Sequence, residues 1–358
     1  MIGMLQRPWL RAAALAAAGA VLAAGGVVAL AGRAVSAPKL PPVAADQLLA
    51  STARALAAQP ALSGDVAAHI DLGLPRLLDG QGGVAEQINS LAGDHRLRVW
   101  TSAAGLRVAD LLPAAERVLV VGRQDAWAWD SGSFTAYHLR AGTARAHQEA
   151  TAPAPGSVAP DPLALARRAL AAITPSTRVT VAQNLWVAGR SSYTLTLTPR
   201  TNATLVGRVE VSVDSARRLP LRVAVYARGA RSPAVWSAFT RIGFGPLDPK
   251  LFRFAPPPGA TVRQGGEHGT ERPDASGGSA SGLVPRTFGS DWSTVVAIPL
   301  PASAAERGAG PRGLDPTRLL PFSGPLFSAR LAPRGDHAWL LVGMVPQPAL
   351  ARAEAQLS

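Results

Sequence analysis

Residues 193–260 read YTLTLTPRTNATLVGRVEVSVDSARRLPLRVAVYARGARSPAVWSAFTRIGFGPLDPKLFRFAPPPGA, and this stretch decides the fold. It contains three runs in which large apolar residues alternate with Thr, Arg, Glu or Ser. A period of two is typical of strands that bury one face. The stretch therefore predicts an antiparallel meander with one apolar face, formed by Tyr193, Leu195, Leu197, Val209, Val211, Val213, Leu221, Val223 and Val225.

The connections between these runs favour the same assignment. Asp214 begins a polar turn that its own side chain can cap, and Pro220 stands at a strand start, where no hydrogen bond of the ladder is lost. The Pro-rich segment 255–259 cannot continue a ladder, so we expect it to end the sheet.

The preceding part of the chain extends the sheet and adds helices. Between residues 94 and 139, five short runs are each bounded by Gly, Pro, Asp or Ser, which is typical of antiparallel strands. Residues 43–58 carry one apolar stripe at helical spacing. Asp161 and Pro162 form a helix start, and we expect the helix that follows, to Ile173, to cover part of the concave side of the sheet.

The N-terminal segment predicts export. Arg7 and Arg11 precede an uncharged stretch at residues 12–32, and Arg33 ends it. Cleavage after Ala37 is disfavoured because Pro38 would follow the scissile bond, so we favour an uncleaved anchor. We expect the body on the extracytoplasmic face of the cytoplasmic membrane, or exported if the segment is cleaved.

Composition shifts divide the chain into four parts. Residues 1–37 are the anchor or signal peptide, and residues 38–262 form the main domain. Residues 263–282 are rich in Gly and Ser, which predicts a flexible linker. Residues 283–358 are long enough for a small C-terminal α+β domain, or for strands that complete the first sheet.

The charge of the chain favours some partners over others. The net charge of +13 comes almost wholly from Arg, since Lys occurs only at Lys39 and Lys250. Such a bias is typical of GC-rich coding. If the charge acts outside the cytoplasm, anionic lipid head groups or acidic wall polymers are its partners, and we predict no nucleic-acid partner. The chain has no Cys, which excludes a disulfide and an acylated lipoprotein anchor.

Catalytic and metal-binding patterns are missing from the sequence. There is no G-x-S-x-G motif and no Cys nucleophile, and the six histidines do not show the spacing of metal ligands. We therefore predict no enzyme activity, no cofactor and no metal. A hydrolase without a recognisable motif is the third-ranked alternative.

The distinctive side chains are aromatic. Trp127 and Trp129 lie two apart on a predicted strand and so share a face, with Trp100 and Trp186 as further members. Large rings of this kind suit either an ordinary core or a cavity lined for lipid.

Order and spacing of these runs resemble the LolA-like superfamily, which includes periplasmic lipoprotein carriers and the MucB/RseB-type regulators of extracytoplasmic sigma factors. The resemblance rests on HRLRVWTSAAGLRVADLL at residues 95–112, ERVLVVGRQDAWAWDSGSFTAYHL at residues 116–139, and the meander with its closing Phe and Pro residues. It implies a mainly β fold with α-helices, an open antiparallel half-barrel whose apolar concave face holds acyl chains.

The resemblance leaves two functions open. As a carrier, the protein would bind lipid or lipoprotein acyl chains; as a MucB/RseB-type regulator, it would bind an anti-sigma factor, with residues 283–358 as a second small domain. The predicted lining of the apolar pocket is Trp100, Trp127, Trp129, Leu195, Leu197, Val209, Val211, Leu221 and Val223.

Overall fold

The computed structural model describes residues 36–73, 92–123, 125–140, 158–264, 284–301, 320–335 and 337–357. The chain divides into the compact units Met1–Pro38 and Lys39–Ser358, and all elements named below belong to the second. The predicted anchor at residues 12–32 and nearly all of the predicted linker lie outside the described residues. Among the helices in the described part, none is long and apolar enough to span a bilayer.

The described elements are mostly strands. The described residues form three α-helices: α1 (Ala45–Ala57), α2 (Pro162–Ala171) and α3 (Gln347–Glu354). The strands of the main sheet are β1 (Leu62–Ile70), β2 (Gly93–Ser102), β3 (Gly105–Leu111), β4 (Glu116–Val121), β5 (Asp125–Asp130), β6 (Thr135–Arg140), β7 (Thr177–Val187), β8 (Arg190–Pro199), β9 (Val206–Asp214), β10 (Pro220–Ala227), β11 (Val235–Phe244) and β12 (Thr261–Gln264). A second sheet contains β13 (Arg286–Phe288), β14 (Val295–Pro301), β15 (Phe322–Ser323), β16 (Ser328–Arg334) and β17 (His337–Gly343).

The main sheet has 12 strands in the order β12-β6-β5-β4-β3-β2-β1-β11-β10-β9-β8-β7. It is not closed into a barrel, since β12 and β7 stand at its two edges. Strand β1 joins the two halves because it pairs antiparallel with both β2 and β11. The prediction of a mainly β fold with helices, built on an open antiparallel half-barrel, is therefore confirmed.

The meander forms as its alternation predicts. Val211 faces Leu195 on β8 and Val223 on β10, so the apolar residues of the three strands fall in register on one side of the sheet. At the β9–β10 turn, the Asp214 carboxylate accepts hydrogen bonds from the backbone N–H groups of Ala216 (2.9 Å) and Arg217 (2.6 Å). Pro220 is the first residue of β10.

Two helices cover part of this apolar side, which we call the inner face. Helix α1 packs against β7 and β8, and α2 packs against β10 and β11. Asp161 caps α2 as the sequence predicts, accepting hydrogen bonds from the backbone N–H groups of Leu163 (2.8 Å) and Ala164 (3.1 Å). Burial raises the pKa of Asp161 above its ordinary value, although these hydrogen bonds and the charge of Arg167 oppose the shift.

The Pro-rich segment does not end the sheet. After a 3₁₀ turn at Pro249–Phe252, the chain crosses the other side of the sheet, the outer face, and β12 then pairs in parallel with β6. Arg263 and Gln264, which the sequence analysis placed in the linker, are the last two residues of β12. Strand β11 ends at Phe244, before this segment, and beyond Gly259 the chain is extended again and pairs with the free edge of β6.

The second sheet forms a small unit with α3. Its strand order is β13-β14-β17-β16-β15, and Leu350, Ala353 and Leu357 pack against Trp339 and Leu341 on one of its sides. The predicted small α+β segment is thus present within residues 284–357, and its strands pair with one another rather than with the main sheet.

The two sheets are joined at one end of the half-barrel. The backbone carbonyl of Met344 accepts hydrogen bonds from the Thr204 hydroxyl (2.7 Å) and the Leu205 N–H (2.8 Å), just before β9. The N-terminal stretch meets the half-barrel towards the other end of the same strands, where the Tyr193 hydroxyl donates to the Pro41 carbonyl (3.0 Å).

Candidate functional site

The aliphatic pocket candidates lie on the inner face beneath the helices. All six are packed in the main core, with relative exposures of 0–5%: Leu195, Leu197, Val209, Val211, Leu221 and Val223. Their neighbours in this core include Leu48 of α1 and Leu163 of α2. In the described structure they act as the floor on which the helices pack.

The three tryptophan candidates lie on the outer face. Trp127 and Trp129 share a face, as predicted, and form a cluster with Val118, Val120 and half-buried Trp100. Phe254, from the segment that crosses this face, lies against Trp127 (5.7 Å between ring centroids) and Trp129 (6.1 Å). Trp186 does not join them, because it lies on edge strand β7 and is 47% exposed.

The nine candidates therefore do not line one common surface. The cross-strand pairings show which residues lie on the inner face. It runs from Val211 and Val223 across β1 to Val99 and Val108. Continuing the same rows reaches the alanines of β5, whereas the tryptophans point to the other side. Whether either set binds a ligand stays a prediction.

A second part of the inner face, on β3 to β6, is also apolar. One row of cross-strand neighbours contains Val108, Leu119, Ala128 and Tyr137, and the adjacent row contains Leu106, Val121 and Ala126. The alanines are buried, whereas Leu106, Leu119, Val121 and Tyr137 are partly exposed. The small alanine side chains of β5 lie between the larger side chains of β4 and β6. We call the two rows together the alanine strip.

The sequence reasoning missed the alanine strip because it followed the aromatic residues. In the run DAWAWD, two tryptophans and two alanines alternate, and the larger side chains suggest the more distinctive face. The strand register identifies the strip. Following the pairings strand by strand across the whole sheet shows that Ala126 and Ala128 lie on the same face as the apolar residues of the meander.

One end of the alanine strip is polar. On β2 and β3, the buried side chains of His95 and Asp110 are 2.9 Å apart. On the neighbouring strands, the Arg117 guanidinium donates to the Asp130 carboxylate (3.0 Å). Within the described part of the chain, the second carboxylate oxygen of Asp110 is buried without a hydrogen-bond partner. This inner surface is therefore amphipathic along the strands.

The outer face of β9 and β10 carries a charged network of its own. Glu210 accepts hydrogen bonds from Arg208 (2.8 Å) and Tyr226 (2.9 Å), and Arg222 lies 3.5 Å away. Burial pushes the pKa of Glu210 up, but these hydrogen bonds and the two cations outweigh it, so the pKa is lowered overall. The carboxylate is held ionised as a structural bridge between strands.

Metal-binding clusters are absent from the part of the chain that the structure describes, where no group of three or more His, Asp or Glu side chains converges. Three of the described histidines instead pair with single carboxylates: His69 with Asp94 (2.8 Å), His95 with Asp110 (2.9 Å) and His138 with Asp125 (3.0 Å).

Comparison with known proteins gives structural likenesses only. No protein-family model and no curated protein matches this chain. Solved structures that are similar include the MucA/MucB complex of Pseudomonas aeruginosa, with TM-score 0.45 and 17% identity over 87% of this chain and 96% of that chain. A MucB structure has TM-score 0.42 and 17% identity over 86% of this chain and 95% of that chain. A LolA superfamily protein from Nitrosomonas europaea has TM-score 0.23 and 13% identity over 60% of this chain and 99% of that chain.

MucB and LolA superfamily proteins are thus among the solved structures similar to this chain, in line with the resemblance stated from the sequence. Identities and TM-scores this low establish no shared ligand or partner.

Proposed function

We propose that this protein is an extracytoplasmic, membrane-associated binding protein that holds the acyl chain of a lipid or lipoprotein on the alanine strip. The observation that carries the proposal is the uneven cover of the inner face by the helices that the structure describes. Helices α1 and α2 pack on β7, β8, β10 and β11, whereas the apolar inner face continues onto β3 to β6, with Leu119, Val121 and Tyr137 partly exposed.

The dimensions of the strip suit an acyl chain. From Val99 on β2 to Tyr137 on β6, the row crosses four strand spacings, or about 19 Å at roughly 4.8 Å each. Ala126 and Ala128 have the smallest side chains of this surface, so we propose that the acyl chain lies over them, between the larger side chains of β4 and β6. Burial of apolar surface contributes about 0.8 kcal/mol per CH₂, so ten methylenes supply roughly 8 kcal/mol before ordering costs.

The polar end of the strip supports an amphipathic ligand. His95, Asp110, Arg117 and Asp130 lie on the same face as the alanine strip and provide both donors and acceptors. A polar head placed there would meet the partly exposed side chains of Arg117 and Asp130, with the buried Asp110 carboxylate beneath them. The acyl chain would then extend towards Leu106 and Val121.

The test compares a change on each face of the sheet. The purified full chain is exchanged into a detergent that dissociates from proteins in the gas phase, and bound lipid is then detected by native mass spectrometry. We expect co-purifying lipid with the unaltered chain and with Leu111→Asp, whose side chain is 39% exposed on the outer face. We expect loss of lipid with Leu119→Asp on the inner face. Ala128→Leu fills the strip without adding charge and should act like Leu119→Asp.

Equal lipid retention by Leu119→Asp and Leu111→Asp, in variants with unchanged circular dichroism, would contradict the proposal. Lipid-free protein from every preparation would do the same.

The second candidate function is regulation through binding of another membrane protein, such as an anti-sigma factor. A specific observation favours it: the side of the second sheet away from α3 presents three apolar rows. In register these are Val296-Val342-Ala329, Ile298-Leu340-Leu331 and Leu300-Ala338-Pro333. Val296 and Ile298 are 37% and 38% exposed. We call this surface the C-terminal apolar face.

A pull-down from membranes separates the two functions. A partner that is captured by the full chain and by Leu119→Asp, but lost with Ile298→Asp, supports the regulator. The class of partner to look for is the anti-sigma factor that the resemblance stated from the sequence implies. A partner captured equally by Ile298→Asp and the unaltered chain would count against this surface.

A further inference from the structure

The outer face contains a cleft at the centre of the main sheet, away from both surfaces discussed above. It has a volume of about 390 Å³ and lies over β1, between β2 and β11. Volumes of this size are typical of sites for small ligands. Its walls and floor include Ser63, Asp65, Arg98, Trp100, Arg241 and Gly243.

Small residues create the floor of the cleft. Gly243 pairs with Ser63 across β1 and β11. A Cβ added at Gly243 would find Ser63 atoms no nearer than 3.9 Å, which is ordinary contact distance, so the space above this glycine is open. A larger residue at position 243 would therefore occupy the cleft without disturbing the backbone.

Two arginines form one wall. Asp65 lies between them in register, opposite Arg98 on β2 and Arg241 on β11. Arg241 donates to the Asp65 carboxylate (2.6 Å), and Arg98 approaches it at 3.7 Å. The three charges leave a net +1, and the guanidiniums keep most of their N–H donors towards solvent, with side-chain exposures of 55% for Arg98 and 80% for Arg241. Asp65 thus positions two cations side by side without cancelling them.

Trp100 forms the opposite wall. It is half-buried and faces Ser63 on β1 and Arg107 on β3, so its ring stands beside the small floor. Arg107 is anchored away from the cleft by a hydrogen bond to the Leu251 carbonyl (3.5 Å). A planar apolar surface next to paired guanidiniums suits a ligand with a flat body and a negatively charged end.

We propose that this cleft binds a small organic anion, with a phosphate or carboxylate group between Arg98 and Arg241 and a flat apolar body on Trp100. Arginine favours such oxyanions because its planar donors match two oxygens at once. The site is on the outer face, so it does not depend on acyl-chain binding on the inner face, and Leu119→Asp should leave it unchanged.

The experiment measures binding of phenyl phosphate to the full chain in detergent by isothermal titration calorimetry, at low and at physiological salt. Inorganic phosphate is titrated in parallel. We expect phenyl phosphate to bind at least tenfold more tightly than inorganic phosphate. Benzoate in place of phenyl phosphate shows whether a carboxylate serves equally. We expect Arg98→Gln and Arg241→Gln each to weaken binding at least tenfold, and Trp100→Ala to bring phenyl phosphate to the level of inorganic phosphate.

Two variants keep the outcome interpretable. Gly243→Leu fills the cleft and leaves every charge in place, so we expect it to abolish binding. Arg178→Gln removes one exposed cation from β7 and should bind phenyl phosphate as tightly as the unaltered chain. The proposal fails if Arg178→Gln weakens binding as much as Arg98→Gln, since the anion would then be attracted by the net positive charge of the chain rather than by this cleft. It also fails if Gly243→Leu, shown to be folded by circular dichroism, binds normally.

Discussion

The indole N–H of Trp292 donates a hydrogen bond of 2.7 Å to the hydroxyl oxygen of Thr177, and both side chains are buried. Trp292 precedes β14, whereas Thr177 begins β7, so this bond joins the second sheet to the main one. We predict that Trp292→Phe lowers the free energy of unfolding by about 1–3 kcal/mol, because an aromatic ring, although a smaller one, is kept while a buried hydrogen bond is lost.

Urea denaturation followed by circular dichroism checks this prediction, with Trp236→Phe as the matched control on the outer face. A loss for Trp236→Phe as large as that for Trp292→Phe would assign the effect to ring size rather than to the hydrogen bond.

Asp214 should make the stability of the protein depend on acid. Its side chain is only 1% exposed and pairs with Arg190. Burial pushes the pKa of Asp214 up, but the hydrogen bonds from Arg190 and from the backbone of Arg217 and Ala216 outweigh it, so the pKa lies below its ordinary value.

A carboxyl group with a lowered folded-state pKa stabilises the fold above its unfolded pKa of about 3.9, and this contribution disappears as the pH falls through the folded value. Asp214→Asn should therefore cost about 3 kcal/mol or more near pH 7, and the difference from the unaltered chain should shrink below about pH 4. Urea titrations at both pH values measure it. A difference that grows in acid would refute the assigned direction.

Phe254 should hold the crossing segment on the outer face. Its ring lies within about 6 Å of two tryptophans, and such aromatic pairs contribute roughly 0.5–1.5 kcal/mol each beyond area burial. We predict that Phe254→Ala shifts tryptophan emission to longer wavelength and speeds hydrogen exchange in β12 and β6. Phe134 is 45% exposed and, among the described aromatic rings, contacts Trp129 alone (5.3 Å), so the control variant Phe134→Ala should change exchange in β6 less.

The side of the membrane can be tested with a single introduced thiol, since the chain has no Cys. We predict that a membrane-impermeant maleimide labels Arg178→Cys in intact cells, because this position is exposed on β7 and the body is proposed to lie outside the cytoplasmic membrane. Buried Ala128→Cys should resist labelling until the protein is denatured. Labelling of Arg178→Cys only after cell lysis would place the body inside.

The sequence was informative where local chemistry and pattern agree. Asp161 followed by Pro162 predicts the start of α2, and the alternation around Val211 predicts the strands of the meander, because both signals lie within a few residues. The antiparallel sheet was predicted in the same way, from many short runs between turn residues, whereas the open half-barrel came from the resemblance to the LolA-like superfamily.

The residues that share one face of the sheet could not be predicted from such local signals. Leu195 and Trp127 lie on opposite faces, and this follows only from pairings between strands more than 100 residues apart in the chain, such as β1 with β11. Strand β12 was missed for a similar reason: four exposed residues, Thr261–Gln264, carry no alternation of their own and pair because the preceding segment delivers them to the edge of β6.

Two contacts near β8 and β9 fix the distance between the N-terminal stretch and the second sheet. The Pro41 carbonyl meets Tyr193, and the contact with Met344 lies beyond Pro199, at the far end of the same strand. From Tyr193 to Pro199 is about 20 Å at roughly 3.3 Å per residue. A tether entering through Pro41 would thus hold the second sheet more than two Debye lengths from the point of entry at physiological ionic strength. At that separation, the charge of a surface at the point of entry would reach the second sheet only in screened form.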